Sequence, residues 1–384
     1  MAEEADATEE LEVDTPERAK KSRAVFVAIA LTLMLLSGIV MREALPYFAT
    51  PEPVAVEDGV YVEKVASDLG DPSCLHWIDQ TWLLVCDRGG RILALELNEV
   101  GDLNDPLTVL DGLTNPHGAL IWVDPSNGTH RLFVSETGKL TGFTLDSLVP
   151  SNWSLDNGQV LVSGVPSGNH QTNSVMPGAD GSLIWHSGST CNVCEEEDER
   201  NAALLTVDPW SGETELLATG VRNSYDGVWV PDIGYLFTDN GRDWEGDHPP
   251  EELNLLSEGA AYGWPDDDPS QPVPTGTVGP IAEFAAHSSA NGIDLRPANS
   301  TLPGGNYTVY VTIFGSWNTV IPVGKEIVRV DLVPDPESEQ GWKGEVTKVV
   351  TGLQTPLPLR FHPNGDLYFA EYAEGSLFRV TGEV

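Results

Sequence analysis

Basic residues are scarce in this 384-residue chain: lysine and arginine together number 20, against 59 aspartates and glutamates, for a formal charge of −39. Displacing the counterions of a phosphate backbone needs a basic face, so nucleic acid is excluded as a partner. The excess acid instead suits a protein kept soluble by its carboxylates in salty surroundings. Cysteine is scarce too, with four residues. Cys191 and Cys194 form a C-x-x-C, yet no second cysteine pair or histidine pair follows at zinc-site spacing, and no βαβ context surrounds them for a redox dithiol. They are read as a structural disulfide. So are Cys74 and Cys86, which flank "LHWIDQTWLLV", two strands turning at Asp79-Gln80 whose antiparallel partners come within bridging distance. Sustained helical periodicity is also missing after residue 60, where short β-rich runs are bounded by Gly, Pro, Asn and Asp.

Only one run is long and uncharged. "AVFVAIALTLMLLSGIV" (24–40) is about long enough to cross a bilayer at about 1.5 Å per residue, and Arg18, Lys20, Lys21 and Arg23 precede it. Basic residues on that side keep the N-terminus cytoplasmic and place the remainder outside the cell membrane. The expected organisation is a cytoplasmic leader (1–23), a single transmembrane helix (24–41), a Pro-rich tether (42–59) and a folded body (60–384). A cleaved signal peptide is the rival, although no small-x-small cleavage site follows the run. Four N-x-S/T sequons, at Asn127, Asn152, Asn299 and Asn306, agree with an exported body.

Within the body one phrase returns: an apolar strand, a small loop, then a hairpin around a D-G-like turn. "VASDLGDPSCLHWIDQTWLLVCDRGGRILAL" is its first copy, "ATGVRNSYDGVWVPDIGYLFTDNGRD" its fourth and "VTGLQTPLPLRFHPNGDLYFAEYAEGSLFRV" its sixth. Six such copies, about 45–65 residues apart with several strands each, predict an all-β six-bladed propeller of about four strands per blade around a central channel. A row of β-sandwiches would not keep one phase. Gly112, Gly164, Gly220 and Gly352 each precede a loop leading into the expected innermost strand, so these loops converge on one mouth of the channel. His117, His170, Arg222, Asn223 and His287 occupy them. A single such histidine more often bonds a neighbouring blade, but five polar groups in one phase mark a candidate ligand pocket. A second feature is "FTDNGRDWEGDHPPEELN" (237–254), where a strand end releases many oxygen-bearing side chains around Gly241 and Arg242.

These segments carry a resemblance. "GVPSGNHQTNSVMPGADGSL", "GSTCNVCEEEDERNAALL", "TGVRNSYDGVW", the 237–254 block, "YGWP" and "FGSWN" follow one another in this order. Over roughly 60–382 the chain resembles the soluble sugar dehydrogenases that use pyrroloquinoline quinone (PQQ), and most closely their sorbosone dehydrogenase branch. The C-N-V-C loop and the D-N-G-R-D block are the most specific parts. The resemblance implies a six-bladed propeller that holds the quinone over a Ca²⁺ ion in the channel mouth. It implies that Gly241 and Arg242 offer carbonyls to the ion with Asp243 nearby, a hard cation taking six to eight oxygens, and that Glu251 and Glu252 brace the loop. His170 falls on the catalytic base, which takes a hydroxyl proton as hydride passes to the quinone. Arg222 and Asn223 match an R-N pair that binds a cofactor carboxylate and carbonyl, a task suited to the fixed fork of arginine. The implied activity is oxidation of a sugar or related polyol or aldehyde, with electrons passed to a separate acceptor.

The chain departs from that pattern at three cations. Thr355-Pro356 stands where the last blade usually has an arginine, the first-blade loop reads "DPSCLHW" without one, and the lysine after "GSWN" falls on Glu326, beside Lys325. His117, His287, Lys325 and Arg242 are then the remaining candidates for an anionic cofactor. The departures also favour a rival function, a non-catalytic cell-surface propeller binding a glycan or protein. A Ca²⁺-dependent hydrolase of the lactonase type is a weaker rival, since it would want carboxylates from several blades rather than from one loop.

Overall fold

The computed structural model describes residues 52–383 apart from 99–100, 157, 171, 244–245 and 267–274, together with 27–35 and 37–38. The latter stretch is helical, with exposed apolar side chains. The rest of the expected membrane segment 24–41, the leader 1–23 and most of the tether lie outside the described residues. Among those described, no helix is long and apolar enough to cross a membrane.

Each copy of the repeated phrase becomes one antiparallel sheet, giving six blades of four strands, one of them extended by a fifth strand. The first blade runs outward in chain order through Pro72–Trp77, Trp82–Asp87, Arg91–Glu96 and Leu107–Leu110. The innermost strands of the next five are Gly118–Val123, Thr172–Pro177, Gly227–Val230, Ala290–Leu295 and Pro356–Phe361. The sixth blade takes its outer strand from the other end of the body, where Val60–Ala66 pairs with Ser376–Gly382. That pairing closes the ring. Val54 and Ala55, expected in the tether, pair instead with Thr351 and Val350 on the outer strand of the fifth blade. An outer edge presents unpaired N–H and C=O groups that a short β-forming stretch can satisfy, so the folded body begins before residue 60.

Because every sheet packs against two neighbours, both of its faces are buried, and the strands read as apolar runs rather than as clean alternation. The core accordingly falls into six clusters, each shared by two adjacent blades. Leu84 and Ile92 of the first blade meet Leu132 and Phe143 of the second, while Leu75 and Leu83 of the first meet Tyr368 and Leu377 of the sixth. Both expected disulfides are present: Cys74 and Cys86 face each other in the first hairpin with Cα atoms 4.9 Å apart, and Cys191 is joined to Cys194.

One recurring device positions the channel mouth. Asp87, Glu136, Asp239 and Glu371 each end the second strand of a blade and are buried. Each accepts N–H groups from the loop leading into the innermost strand: Asp71 N at 3.0 Å, Thr114 N at 2.8 Å, Arg222 N and Asn223 N at 3.0 and 2.7 Å, and Gln354 N at 2.9 Å with Thr355 N beside it. Loops crowded around an axis cannot all reach water, and an ionised carboxylate satisfies several backbone donors at once. These acids are clamps, not part of the solvated surface that the acidic composition suggests.

Candidate functional site

The loops and strand ends so clamped surround a cavity of about 190 Å³. His117, His170, Asn223 and Tyr225 reach it from the leading loops, and Asn173 and Asn291 from the innermost strands. Arg88 and Tyr372 reach it from the ends of second strands, each directly following a clamp acid. On the innermost strand of the sixth blade, Arg360 grips Asp226 with both terminal nitrogens, at 2.6 and 2.9 Å, tying it to the loop that leads into the fourth blade.

Of the residues expected from sequence, His117, His170 and Asn223 line this cavity, whereas Arg222, His287, Lys325, Gly241, Arg242 and Asp243 do not. Arg222 is buried, with its donors committed: Nε to Asn192 O (3.2 Å), Nη1 to Asn240 O (3.1 Å), and Nη2 to Asn192 Oδ1 and Asp243 Oδ2 (both 2.8 Å). Asn192 is the second residue of the C-N-V-C loop, and its carbonyl also accepts from Trp264 Nε1 at 3.0 Å. The two most specific sequence blocks thus form one hub around Arg222. The other oxygen of Asp243 accepts from Asn318 Nδ2 at 2.7 Å. Gly241 N donates to Glu251 Oε2 at 2.7 Å, and Glu251 Oε1 accepts from Ser289 N at 3.1 Å, so Glu251 braces the loop. Burial pushes Asp239 up to about 7 and Glu251 up to about 8, against the backbone N–H groups that favour their ionised forms. His287 lies 2.9 Å from Gly246 O through Nε2, and Lys325 holds a left-handed backbone (φ 63°) while its N–H bonds Ile313 O at 2.9 Å.

Among the described residues, no group of three His, Cys, Asp or Glu side chains gathers at the 241–243 loop. The one group of three metal-ligating side chains is Cys191, Cys194 and Glu196. Its cysteines are bridged, and Glu196 accepts from Thr190 N and Oγ1, both at 2.7 Å. What the 241–243 loop has left to offer an ion is main-chain oxygen.

His170 is the chemically poised residue. Its Nδ1 lies 2.7 Å from Ser189 Oγ, and Ser189 donates its single hydroxyl proton to Cys191 O at 2.8 Å. Ser189 can therefore only accept from the ring, so Nδ1 carries the proton and Nε2 keeps its lone pair. Burial, aided by the Arg222 guanidinium, pushes the imidazolium pKa down to about 3. The ring is neutral at physiological pH. His117 is similar: Nδ1 donates to Asn115 O at 2.9 Å, and burial together with the Arg88 charge pushes it to about 3. The sequence expectation missed Arg88, Tyr225 and Tyr372. The repeat phase marks two of them, because Arg88 and Tyr372 occupy the position after the clamp acid that Asn240 occupies in "TDNGRD".

No protein-family model matches the chain. It is 26% identical over 218 residues to an uncharacterized protein of Borreliella burgdorferi, covering 52% of this chain and 57% of that one, so the match spans little more than half of the relative's length. Solved structures of similar shape include the PQQ domain of a pyranose dehydrogenase from Coprinopsis cinerea (TM-score 0.71, 18% identity, 86% of this chain and 97% of that one). A calcium structure of a Trichoderma reesei carbohydrate-active enzyme of family AA12 is similar to the same degree (0.71, 21%, 87% and 98%). So, less closely, is a putative oxidoreductase (glucose dehydrogenase) from Thermus thermophilus (0.61, 19%, 84% and 100%). At these identities the likeness is one of fold, and the fold is the expected six-bladed propeller.

Proposed function

We propose that this propeller is an oxidoreductase of sugars or related polyols and aldehydes, using PQQ at the cavity in the channel mouth and calcium at the neighbouring 240s loop, which bonds the cavity residue Asn223 through Asn240. The observation that carries this reading is His170: a neutral imidazole, fixed in one tautomer by Ser189, with its basic Nε2 in a ring lining a polar cavity. The donor set fits a flat, carboxylated quinone, because Arg88 lines the cavity without a carboxylate partner among the described residues, and Asn223 lines it opposite in the ring of blades. A bound quinone supplies the two-electron acceptor. The chain's own groups then do the rest. His170 Nε2 accepts the proton of the substrate hydroxyl, and Ser189 and the Cys191 carbonyl keep the ring from turning. The Arg222 hub holds the C-N-V-C and 240s loops in register around it. Calcium enters this proposal through main-chain oxygens at Gly241 and Arg242, since both oxygens of Asp243 are engaged by Arg222 and Asn318.

The proposed setting is extracytoplasmic, with 24–41 as membrane anchor and a separate electron acceptor. The test uses the full chain with PQQ and Ca²⁺, following quinone absorbance and sugar-dependent dye reduction. His170→Ala is expected to keep quinone binding and to lose about 10²–10⁴-fold in sugar oxidation, the usual contribution of a positioned base. Wild-type protein that takes up no quinone at micromolar concentration would point instead to the glycan- or protein-binding propeller.

A further inference from the structure

We propose that Arg88, with Tyr372 beside it, is the carboxylate receptor of the cavity and stands in for the arginine that the sixth blade lacks at Thr355. The proposal rests on the quinone reading only for the identity of one of its two candidate anions.

Among the described arginines Arg88 differs from most in how its charge is used. Arg91, Arg200, Arg222, Arg329, Arg360 and Arg379 each have a carboxylate within ion-pair distance. Arg131, Arg242 and Arg296 are spent on carbonyls, of Pro209, Pro265 and Leu302 among others. Arg88 has no carboxylate partner among the described residues, in a chain carrying 59 acids. Its neighbour Asp87 is unavailable, because that carboxylate serves Asp71 N, Gly89 N and Arg91 Nε at 3.0, 2.9 and 2.7 Å. Arg88 Nε is buried without a partner, and Nη1 donates to Tyr372 Oη at 3.2 Å. A guanidinium left without a counter-charge in a partly buried site is destabilising, and an anion arriving in the cavity would offset that.

The surroundings aim the fork. Tyr372 spends an oxygen lone pair on Arg88, so its own O–H remains to be donated, and its ring lies 5.8 Å from the guanidinium carbon. Tyr372 is locked to the departure site, since its N–H donates to Thr355 O at 2.9 Å while Thr355 Oγ1 accepts from Ala373 N at 2.8 Å. A cation from the first blade therefore enters the cavity beside Tyr372, whose backbone is paired with Thr355. Two forked guanidinium donors and a phenol match a planar carboxylate. The ligand class is a small organic carboxylate, either that of the quinone or that of an acidic sugar.

The test measures equilibrium binding of three probes to the full chain: PQQ with Ca²⁺, D-glucuronate, and neutral D-glucose as control, with thermal unfolding in parallel. Arg88→Ala is expected to weaken the carboxylated probe by about 10–100-fold, the loss of a charge-assisted pair, to leave glucose unchanged, and to keep the melting temperature within about 2 °C, well below the shift of a broken structural contact. Arg88→Lys should restore part of the affinity, and Tyr372→Phe should cost about threefold. These two variants carry the test if Arg88→Ala fails to fold. Loss for PQQ alone assigns the receptor to the quinone, and loss for glucuronate alone assigns it to the substrate. Carboxylate affinity unchanged by Arg88→Ala overturns the proposal and leaves the quinone reading standing if PQQ still binds. Arg88-dependent glucuronate binding without any PQQ binding does the opposite. A wild-type chain that binds neither anion overturns both.

Discussion

The third and fourth blades and the seam between the sixth and first blades face one cavity, yet they use their arginines in opposite ways. In the third and fourth blades the recognisable sequence blocks converge, and Arg222 among them has every terminal nitrogen engaged by Asn192, Asn240 and Asp243. At the seam the sequence is plain, and Arg88 keeps a buried nitrogen unengaged. A strong motif can therefore mark the scaffold of a site, while a cavity-lining cation without a counter-charge is the proposed place for a ligand. The physical difference is whether a charge is neutralised by the fold itself or left to be neutralised by something that arrives.

That contrast can be broken most sharply at Arg222. Arg222→Ala would leave Asp243 and the Asn192 and Asn240 carbonyls without their shared donor, and is expected to lower unfolding free energy by about 3–5 kcal/mol, as for a buried pair losing one member. Denaturant titration measures it. A variant as stable as wild type that had lost only quinone affinity would make Arg222 the ligand cation, as the family resemblance implies, and would invert the contrast.

A smaller effect is expected at the seam. Replacing Cys74 and Cys86 together by alanine opens a bridge between residues 12 apart in sequence, which the loop-entropy account puts at about 3 kcal/mol. Because Cys86 lies two residues before Arg88, carboxylate affinity should fall as well. If calorimetry shows the stability loss while affinity is untouched, strand pairing alone holds the receptor in place.

Smallest is Ser189→Ala, which removes the acceptor of His170 Nδ1 without touching the base. It is expected to lower kcat about tenfold with KM unchanged, each factor of ten corresponding to about 1.4 kcal/mol. The pH profile adds a readout that mere packing would not move. With its pKa lowered to about 3 by burial and Arg222, wild-type His170 stays neutral and able to accept a proton as pH falls through 6.5. The rate should therefore show no acid limb near 6.5. An acid limb there would mean that the imidazole is solvated in the working enzyme.

Much of the fold was legible because a propeller repeats its instructions. Six phrases in one phase suffice for the architecture, and the bridges were legible from the Cys74–Cys86 hairpin inside the first phrase and from the C-x-x-C spacing of Cys191 and Cys194. The ring closure by Val60–Ala66 and the extra pairing of Val54 and Ala55 were not legible, since a strand's partner at the far end of the folded body leaves no local signal. The cavity was half legible. His117, His170 and Asn223 follow glycines in the repeat phase, but Arg88 sits in "CDRGG", which reads as an ordinary turn. The clamp acids Asp87, Glu136, Asp239 and Glu371 were hidden by composition, being four among 59.

By itself the sequence determined the number of blades, the phase that sends certain residues to the axis, and the chemistry those residues carry, because repetition and residue type are local properties. Only the tertiary structure decided which charges are spent and which are free. Whether Arg222 or Arg88 meets a ligand depends on acceptors contributed by residues up to 284 positions away, such as Tyr372. The same holds for the basic nitrogen of His170, chosen by one hydroxyl proton on Ser189 that points to Cys191. Neutralisation and proton placement are set by distances of about 3 Å between chain segments, and those distances exist only once six blades close around an axis.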